Sequence, residues 1–223
     1  MRSHWLISVA LLCTVLAQPP AVVAQSDNPY HHNGSAFQEN CHCFTLTNAE
    51  NNESGSVWNV NKIDLRQPFD FHFNVNLGCK DADGADGIAF VLQPISTSIG
   101  SYGQGLGYAG ISPSIGIEID TWTNADEHDP LFDHIAISRN GVVDHADMDN
   151  VTTAVPVLPD SGNIEDCQWH TLRVKWDPAT VTLSAEIDGV YRTGTTFDMV
   201  RDVFGNDPMV FWGFTSATGG SNN

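Results

Sequence analysis

Phe69, Phe71, Phe73, Val75 and Leu77 alternate with Asp70, His72, Asn74 and Asn76. A period of two over this length fits a strand with one buried face and does not fit a helix. The pattern recurs: Ile115, Ile117 and Ile119 alternate with Gly116, Glu118 and Asp120, and Ile135 and Ile137 with His134, Ala136 and Ser138. Leu172, Val174 and Trp176 run into Asp177-Pro178, and Val181, Leu183, Ala185 and Ile187 return. That is a hairpin with proline-containing turn chemistry, and Asp188-Gly189 marks the next turn. Gly87 to Leu92 and Met209 to Phe214 are short apolar runs of core-strand length, and one helical turn is expected between Asp198 and Phe204. Many strands punctuated by turns, with no internal repeat, predict an all-β sandwich or jelly roll of antiparallel sheets. The 223 residues suffice for one such domain with a core of its own.

Charge narrows the partners. Asp and Glu number 27 against 9 Lys and Arg, a net charge of -18. Nucleic acid and anionic membrane surfaces are recognised through basic patches, so neither is an expected partner. An acidic surface suits cation binding, and it also suits simple solvation. Residues 1–24 read as a signal peptide: Arg2 and His4 precede the apolar run Trp5 to Ala17, and Val22-Val23-Ala24 offers small residues before a cut. That run is too short for a spanning helix, and no other segment is expected to insert in a membrane. The mature chain is therefore expected to be secreted. Residues 25–36 are polar and expected to be loose, and the domain proper is assigned to 37–223. Export places Cys41, Cys43, Cys79 and Cys167 in an oxidising compartment, where two disulfides are allowed. Cys79 and Cys167 both sit at predicted strand ends and are the candidate pair, whereas Cys41 and Cys43 are too close to bridge each other without strain. Asn33, Asn52 and Asn150 head sequons that could carry glycans in a eukaryotic host only.

The segment richest in chemistry is Glu118-Ile-Asp-Thr-Trp-Thr-Asn-Ala-Asp-Glu-His-Asp-Pro, followed by Asp133-His134. On a strand, Glu118, Asp120 and Trp122 share one face, and Ile117 and Ile119 take the other. Two carboxylates side by side repel unless a cation or a proton lies between them. Asn124 and Asp129 add oxygen donors from the loop, and His134 opens the next strand. Hard oxygen donors suit calcium, and carboxylates with one imidazole suit a transition ion such as manganese. A solvated acidic loop with a structural histidine is the plainer alternative.

This segment resembles the metal-binding region of legume lectins and their bacterial and animal L-type relatives: Glu-x-Asp-x-aromatic-x-Asn, then Asp-Pro, then His. The resemblance implies a concanavalin A-like jelly-roll β-sandwich and a paired metal site. Glu118, Asp120, Asp129 and His134 would hold a transition metal such as Mn2+. Asp120, Asp129, the Asn124 side chain and the Trp122 carbonyl would hold Ca2+. Ala85-Asp86-Gly87 resembles the family's strand start, in which the Asp follows a cis peptide and accepts hydrogen bonds from sugar hydroxyls. Gly103 to Ile111 resembles the glycine-rich sugar loop, with Gly107 the better match for its ligand-binding N–H and Gly105 the other. Gly213 to Ser221 resembles the strand and variable loop that tune sugar choice, which brings in Gly220 and Ser221. Trp122 either faces the apolar side of a sugar ring or packs beneath its loop. Trp58, Trp169, Trp176 and Trp212 are expected in the core or on a sheet face.

The resemblance implies a carbohydrate-binding protein, not an enzyme, whose partners are glycans of the mannose or glucose type, with a homodimer through sheet edges a further expectation. Two rivals stand beside it. A glycoside hydrolase on the same sandwich needs a second carboxylate on the strand bearing Glu118 and Asp120, about 5–5.5 Å from the first in a retaining enzyme; Trp122 and Thr123 occupy that place. An adhesion or structural sandwich needs no sugar site at all. The family also continues past its variable loop into a final strand. The chain is thus expected to lack that strand and to leave the segment around Phe44, Leu46 and Val57 without a neighbour.

Overall fold

The computed structural model describes residues 29–40, 43–81, 83–100, 105–160 and 162–222. The segment assigned as signal peptide, residues 1–24, and Cys41 lie outside them. Among the described residues, fourteen strands and one helical turn run in chain order: β1 (Tyr30–Gly34), β2 (Phe37–Asn40), β3 (Cys43–Thr45), β4 (Ser54–Asn59), β5 (Ile63–Asp64), β6 (Phe69–Val75), β7 (Gly87–Gln93), β8 (Ile115–Asp120), β9 (His134–Arg139), β10 (Val155–Pro156), β11 (His170–Asp177), β12 (Thr182–Ile187), β13 (Val190–Thr196), α1 (Met199–Asp202) and β14 (Met209–Ala217). All pair antiparallel. The larger sheet has the order β1-β4-β14-β7-β8-β9-β10, with β5 beside β14, and the smaller the order β13-β12-β11-β6. β2 and β3 form a separate hairpin.

Period-two patterning does what it predicts. Phe69, Phe71 and Phe73 point inward from β6: Phe71 and Phe73 meet Phe90, Trp212 and Phe214 of the larger sheet, and Phe69 stacks on Phe71. Ile115, Ile117, Ile119, Ile135, Ile137, Leu172, Val174, Trp176, Leu183 and Ile187 complete the layer between the sheets. Each such side chain contributes about 1.5–3 kcal/mol on burial. The hairpin β12–β13 turns on Asp188-Gly189, and both residues have positive φ, 51° and 76°. That backbone twist matches the flanking strands, and it explains why an Asp-Gly pair stands there. α1 is capped by Asp198, whose side chain accepts from the Arg201 N–H.

Three expectations are corrected. Within the stretch expected to be loose, 25–36, residues 25–28 lie outside the described ones, and Tyr30–Gly34 forms β1, which pairs with β4 from Tyr30↔Asn59 to Gly34↔Gly55. The polar run His31-His32-Asn33 hid this strand, because an edge strand needs backbone partners more than apolar side chains. Val57 consequently has neighbours on both sides, since β4 lies between β1 and β14. Trp169 is 64% exposed, unlike Trp58 and Trp176, because it stands in the bend before β11 and outside the alternating register.

Cys79 and Cys167 are joined in a disulfide spanning 88 residues of sequence, and Cys43 is a free thiol. The bridge ties the end of β6 to the start of β11. Replacing both cysteines by serine is expected to cost about 2–4 kcal/mol, because a long loop regains its freedom in the unfolded chain. Chemical denaturation of the variant beside the parent measures that loss.

Candidate functional site

Register alone assembles the site. Asp120, the last residue of β8, lies opposite Gly87 of β7 on one side and His134 of β9 on the other. Glu118 sits one pleat earlier on the same face. The odd-numbered isoleucines of β8 face the core, so Gly116, Glu118 and Asp120 face away from it. They are buried nonetheless, under a second small cluster that includes Leu106, Tyr108 and Ile111. Gly116 makes this cover fit: a Cβ there would lie 2.6 Å from Tyr108 Cε2. The Tyr108 ring lies over the glycine, and its hydroxyl donates to Glu118 Oε2 and lies 2.8 Å from Ser138 Oγ. Gly116→Ala should push this ring aside and destabilise the protein by about 1–3 kcal/mol, the usual cost of overpacking. A melting curve checks it.

The loop 121–133 folds back on itself. Asp129 Oδ2 accepts from the Asn124 N–H at 2.7 Å, the Thr123 hydroxyl donates to the Pro130 carbonyl at 3.0 Å, and Asp120 Oδ1 accepts from the Trp122 N–H at 2.8 Å. Asp129 is thereby aimed at Asp120 and Glu118. Asp120, Asp129 and His134 bring ligand atoms within 4.8 Å of one another, and so do Glu118, His134 and His145. The four residues expected to hold a transition ion, Glu118, Asp120, Asp129 and His134, are therefore together. His145 was not anticipated. It lies between two aspartates in a turn-rich segment, with no periodicity to mark it, and reaches the cluster only because the loop 140–150 folds against 121–133.

The electrostatics are those of anions crowded out of water. Burial pushes the Glu118 carboxyl up to about 8, against the lowering effect of the Tyr108 hydrogen bond. Burial, with Asp129 beside it, holds Asp120 well above the carboxylate range. Burial raises Asp129 to about 6 and depresses His134 to about 3. Glu118 Oε1 is buried with no hydrogen-bond partner. A buried carboxylate oxygen without a donor, among two further acids and neutral imidazoles, fits a divalent cation.

Beside this cluster is a hollow of about 200 Å³ lined by Ala85, Asp86, Trp122, Asn124, Gly219, Gly220 and Ser221. The Ala85-Asp86 peptide is cis. Asp86 is held by its backbone between β14 and the end of β8: its N–H donates to the Ala217 carbonyl, and its carbonyl accepts from the Thr121 N–H. Its side chain is 5% exposed, Oδ2 has no hydrogen-bond partner, and burial raises the carboxyl to about 6. Five residues expected to meet a sugar, Asp86, Trp122, Asn124, Gly220 and Ser221, thus share one wall. Trp122 is half-buried and turned to the hollow. Gly107 is placed otherwise: at φ 76° it packs on β14, where a Cβ would come 2.9 Å from Thr215 Cβ and 3.0 Å from the Ser216 backbone. Among the described residues, neither Gly107 nor Gly105 lines the hollow.

Comparison with known proteins agrees with this architecture. A family model described as the legume lectin β-barrel domain matches residues 23–223. The pesticidal crystal protein Cry22Aa of Bacillus thuringiensis is 32% identical over 222 residues, covering 87% of this chain and 30% of that protein. The galactose-binding lectin of Arachis hypogaea is 33% identical over 145 residues, covering 62% of this chain and 49% of that one. The chain thus spans less than half the length of these curated relatives. Among solved structures, the lectin from Bauhinia forficata in complex with GalNAc superposes with a TM-score of 0.70 at 23% identity, with 88% of each chain covered. Peanut lectin superposes equally well, TM-score 0.70 at 24% identity, over 90% of this chain and 88% of that one. Such likenesses establish the sandwich, and the family model, which spans nearly the whole chain, establishes the lineage: the chain belongs to the legume lectin (L-type) domain family.

Proposed function

We propose that this protein is a secreted, metal-dependent lectin that binds sugar hydroxyls in the hollow at Asp86. The observation that carries the reading is the position of Asp86 Oδ2, buried without a donor and facing a hollow whose rim is built by Trp122 and Asn124 from the acidic loop. A pair of vicinal sugar hydroxyls supplies the donors that Asp86 lacks. Hydrogen bonds to an ionised acceptor are the strong ones, so a single carboxylate can anchor a neutral ring. Asn124 adds polar contacts, and Trp122 offers aromatic surface to the ring's apolar face.

Calcium would be held by Asp120, Asp129, the Asn124 side chain and the Trp122 carbonyl, and a transition ion such as manganese by Glu118, Asp120, Asp129 and His134. When bound, these cations neutralise the buried carboxylates and fix the loop that carries Asn124 and Trp122. The protein's own part is to present Asp86, exclude water from its carboxyl and hold the loop at the correct distance. A non-catalytic role is supported by Glu118, which is 1% exposed and engaged by Tyr108, out of reach of a glycosidic bond. Export is supported by the Cys79–Cys167 bridge, which suits an oxidising compartment; among the described residues no helix is long and apolar enough to cross a membrane.

Galactose and GalNAc, the sugars named for two relatives, are the first ligands to test. Mannose and glucose, which the sequence resemblance implies, come beside them. The experiment is a glycan array probed with calcium-loaded and manganese-loaded protein. Binding to a restricted set of hexose-terminated glycans is expected. A blank array, or binding that survives replacement of Asp86, removes the reading.

A further inference from the structure

We infer that His145 is a direct ligand of the transition ion, giving this protein a centre of two imidazoles and three carboxylates. The inference rests on the metal-dependent reading above and extends it to a residue outside the expected ligand set. His145 Nε2 lies 2.7 Å from His134 Nε2, 3.5 Å from Asp129 Oδ1 and 3.6 Å from Glu118 Oε1. The side chain is 7% exposed. Its backbone is pinned on both sides: the His145 N–H donates to the Glu127 carbonyl at 2.8 Å, and the Asn150 amide donates to the His145 carbonyl at 3.0 Å. The ring is therefore placed by the fold and does not drift in from solvent.

The independent sign of a ligand is Glu118 Oε1. It belongs to a side chain that is 2% exposed, it has no hydrogen-bond partner, and it lies 3.6 Å from His145 Nε2 in a residue whose ligand atoms gather with those of both imidazoles within 4.8 Å. The chemistry of the two rings agrees. His134 Nδ1 lies 3.3 Å from the Phe132 carbonyl, which accepts only from an N–H. The His134 proton therefore sits on Nδ1, and Nε2 presents a lone pair to the cluster. Without a cation, His145 Nε2–H donates to that lone pair across 2.7 Å; a cation would take the place of this proton, with His145 carrying its own on the buried Nδ1, and would use both Nε2 lone pairs and the unmatched Glu118 oxygen at once.

A second imidazole changes the ion as well as the affinity. Carboxylate and water suit manganese and calcium, whereas imidazole suits zinc, nickel and copper, whose affinities are already higher in the divalent series. The centre should therefore prefer zinc over manganese, while the neighbouring all-oxygen calcium site is untouched. His145 also ties the loop 140–150 to the loop that carries Asn124, so filling the centre should order both.

The test is calorimetric titration of chelator-stripped protein with Zn2+, Mn2+ and Ca2+, for the parent and for His145→Ala, alongside 15N shifts of the histidine rings of the parent during zinc titration. The expected result is zinc binding tighter than manganese. His145→Ala should lose at least about tenfold to a hundredfold in zinc affinity, since even outer partners of metal ligands are worth that much. Calcium affinity should be unchanged, and the His145 Nε2 resonance should move with that of His134. Equal zinc affinity of the variant, or a His145 resonance that stays still while His134 moves, overturns the assignment and leaves the metal centre standing. A parent that binds none of the three ions overturns the centre itself.

Discussion

Asp86→Ala is expected to abolish sugar binding and leave the fold intact. Two hydrogen bonds to a charged acceptor are worth about 3 kcal/mol or more together, which is beyond a hundredfold in affinity. Most buried polar residues cannot be removed without loss of stability, but Asp86 differs. Its Oδ2 has no partner within the protein, and burial already raises its carboxyl to about 6, so keeping it ionised at neutral pH costs stability. The variant should therefore melt at the parent temperature or slightly above it, and it should bind calcium as before. Binding isotherms and melting curves on the same samples check both halves. A variant that binds sugar within twofold of the parent would reduce Asp86 to a turn residue.

Stripping the metals should lower the melting temperature by about 10 °C at neutral pH, because ligands that bind only the folded state at a hundred times their Kd contribute about 2.7 kcal/mol each. The loss should also depend on pH with a defined sign. Glu118 titrates at about 8 in the folded chain and near 4.5 once unfolded, and Asp120 is likewise raised. Between these values the folded state holds more protons, so stability falls as pH rises. Asp86 and Asp129, each raised to about 6, add to the fall at lower pH. His134, depressed from 6.5 to about 3, and His145, also depressed, act in the opposite sense below 6.5 and drop out above it. The clean window is therefore pH 6.5 to 8. His170, raised against its burial by hydrogen bonds to Asp188 and Asp166, adds a fall common to both forms, so the stripped protein should lose stability more steeply across the window than the metal-loaded protein, whose carboxylates are already neutralised by cations. Melting curves across that window, with and without chelator, decide it.

Much of this site is legible in the sequence because it is built on strands. Once Ile115, Ile117 and Ile119 mark the core face of β8, Glu118 and Asp120 must share the other, and a following strand that begins at His134 brings the imidazole to Asp120 by register alone. The Cys79–Cys167 pair is legible for a similar reason, since both residues stand at strand ends. What escapes is what loops decide. His145 has no periodic neighbour, and its approach depends on a backbone bond to Glu127 that no local pattern announces. Gly107 signals a close approach without saying to what; the partner is β14 and not the hollow. β1 escapes because an edge strand can be polar, with its order coming from ladder bonds to β4.

The central claim is that cations hold the sugar site in shape while Asp86 takes the hydroxyls. Calorimetric titration of the strongest array sugar onto stripped protein, repeated after calcium and manganese are restored, tests it most directly. The account predicts no measurable sugar binding by the stripped protein and full recovery on restoring the ions. Undiminished affinity in the stripped protein would contradict it.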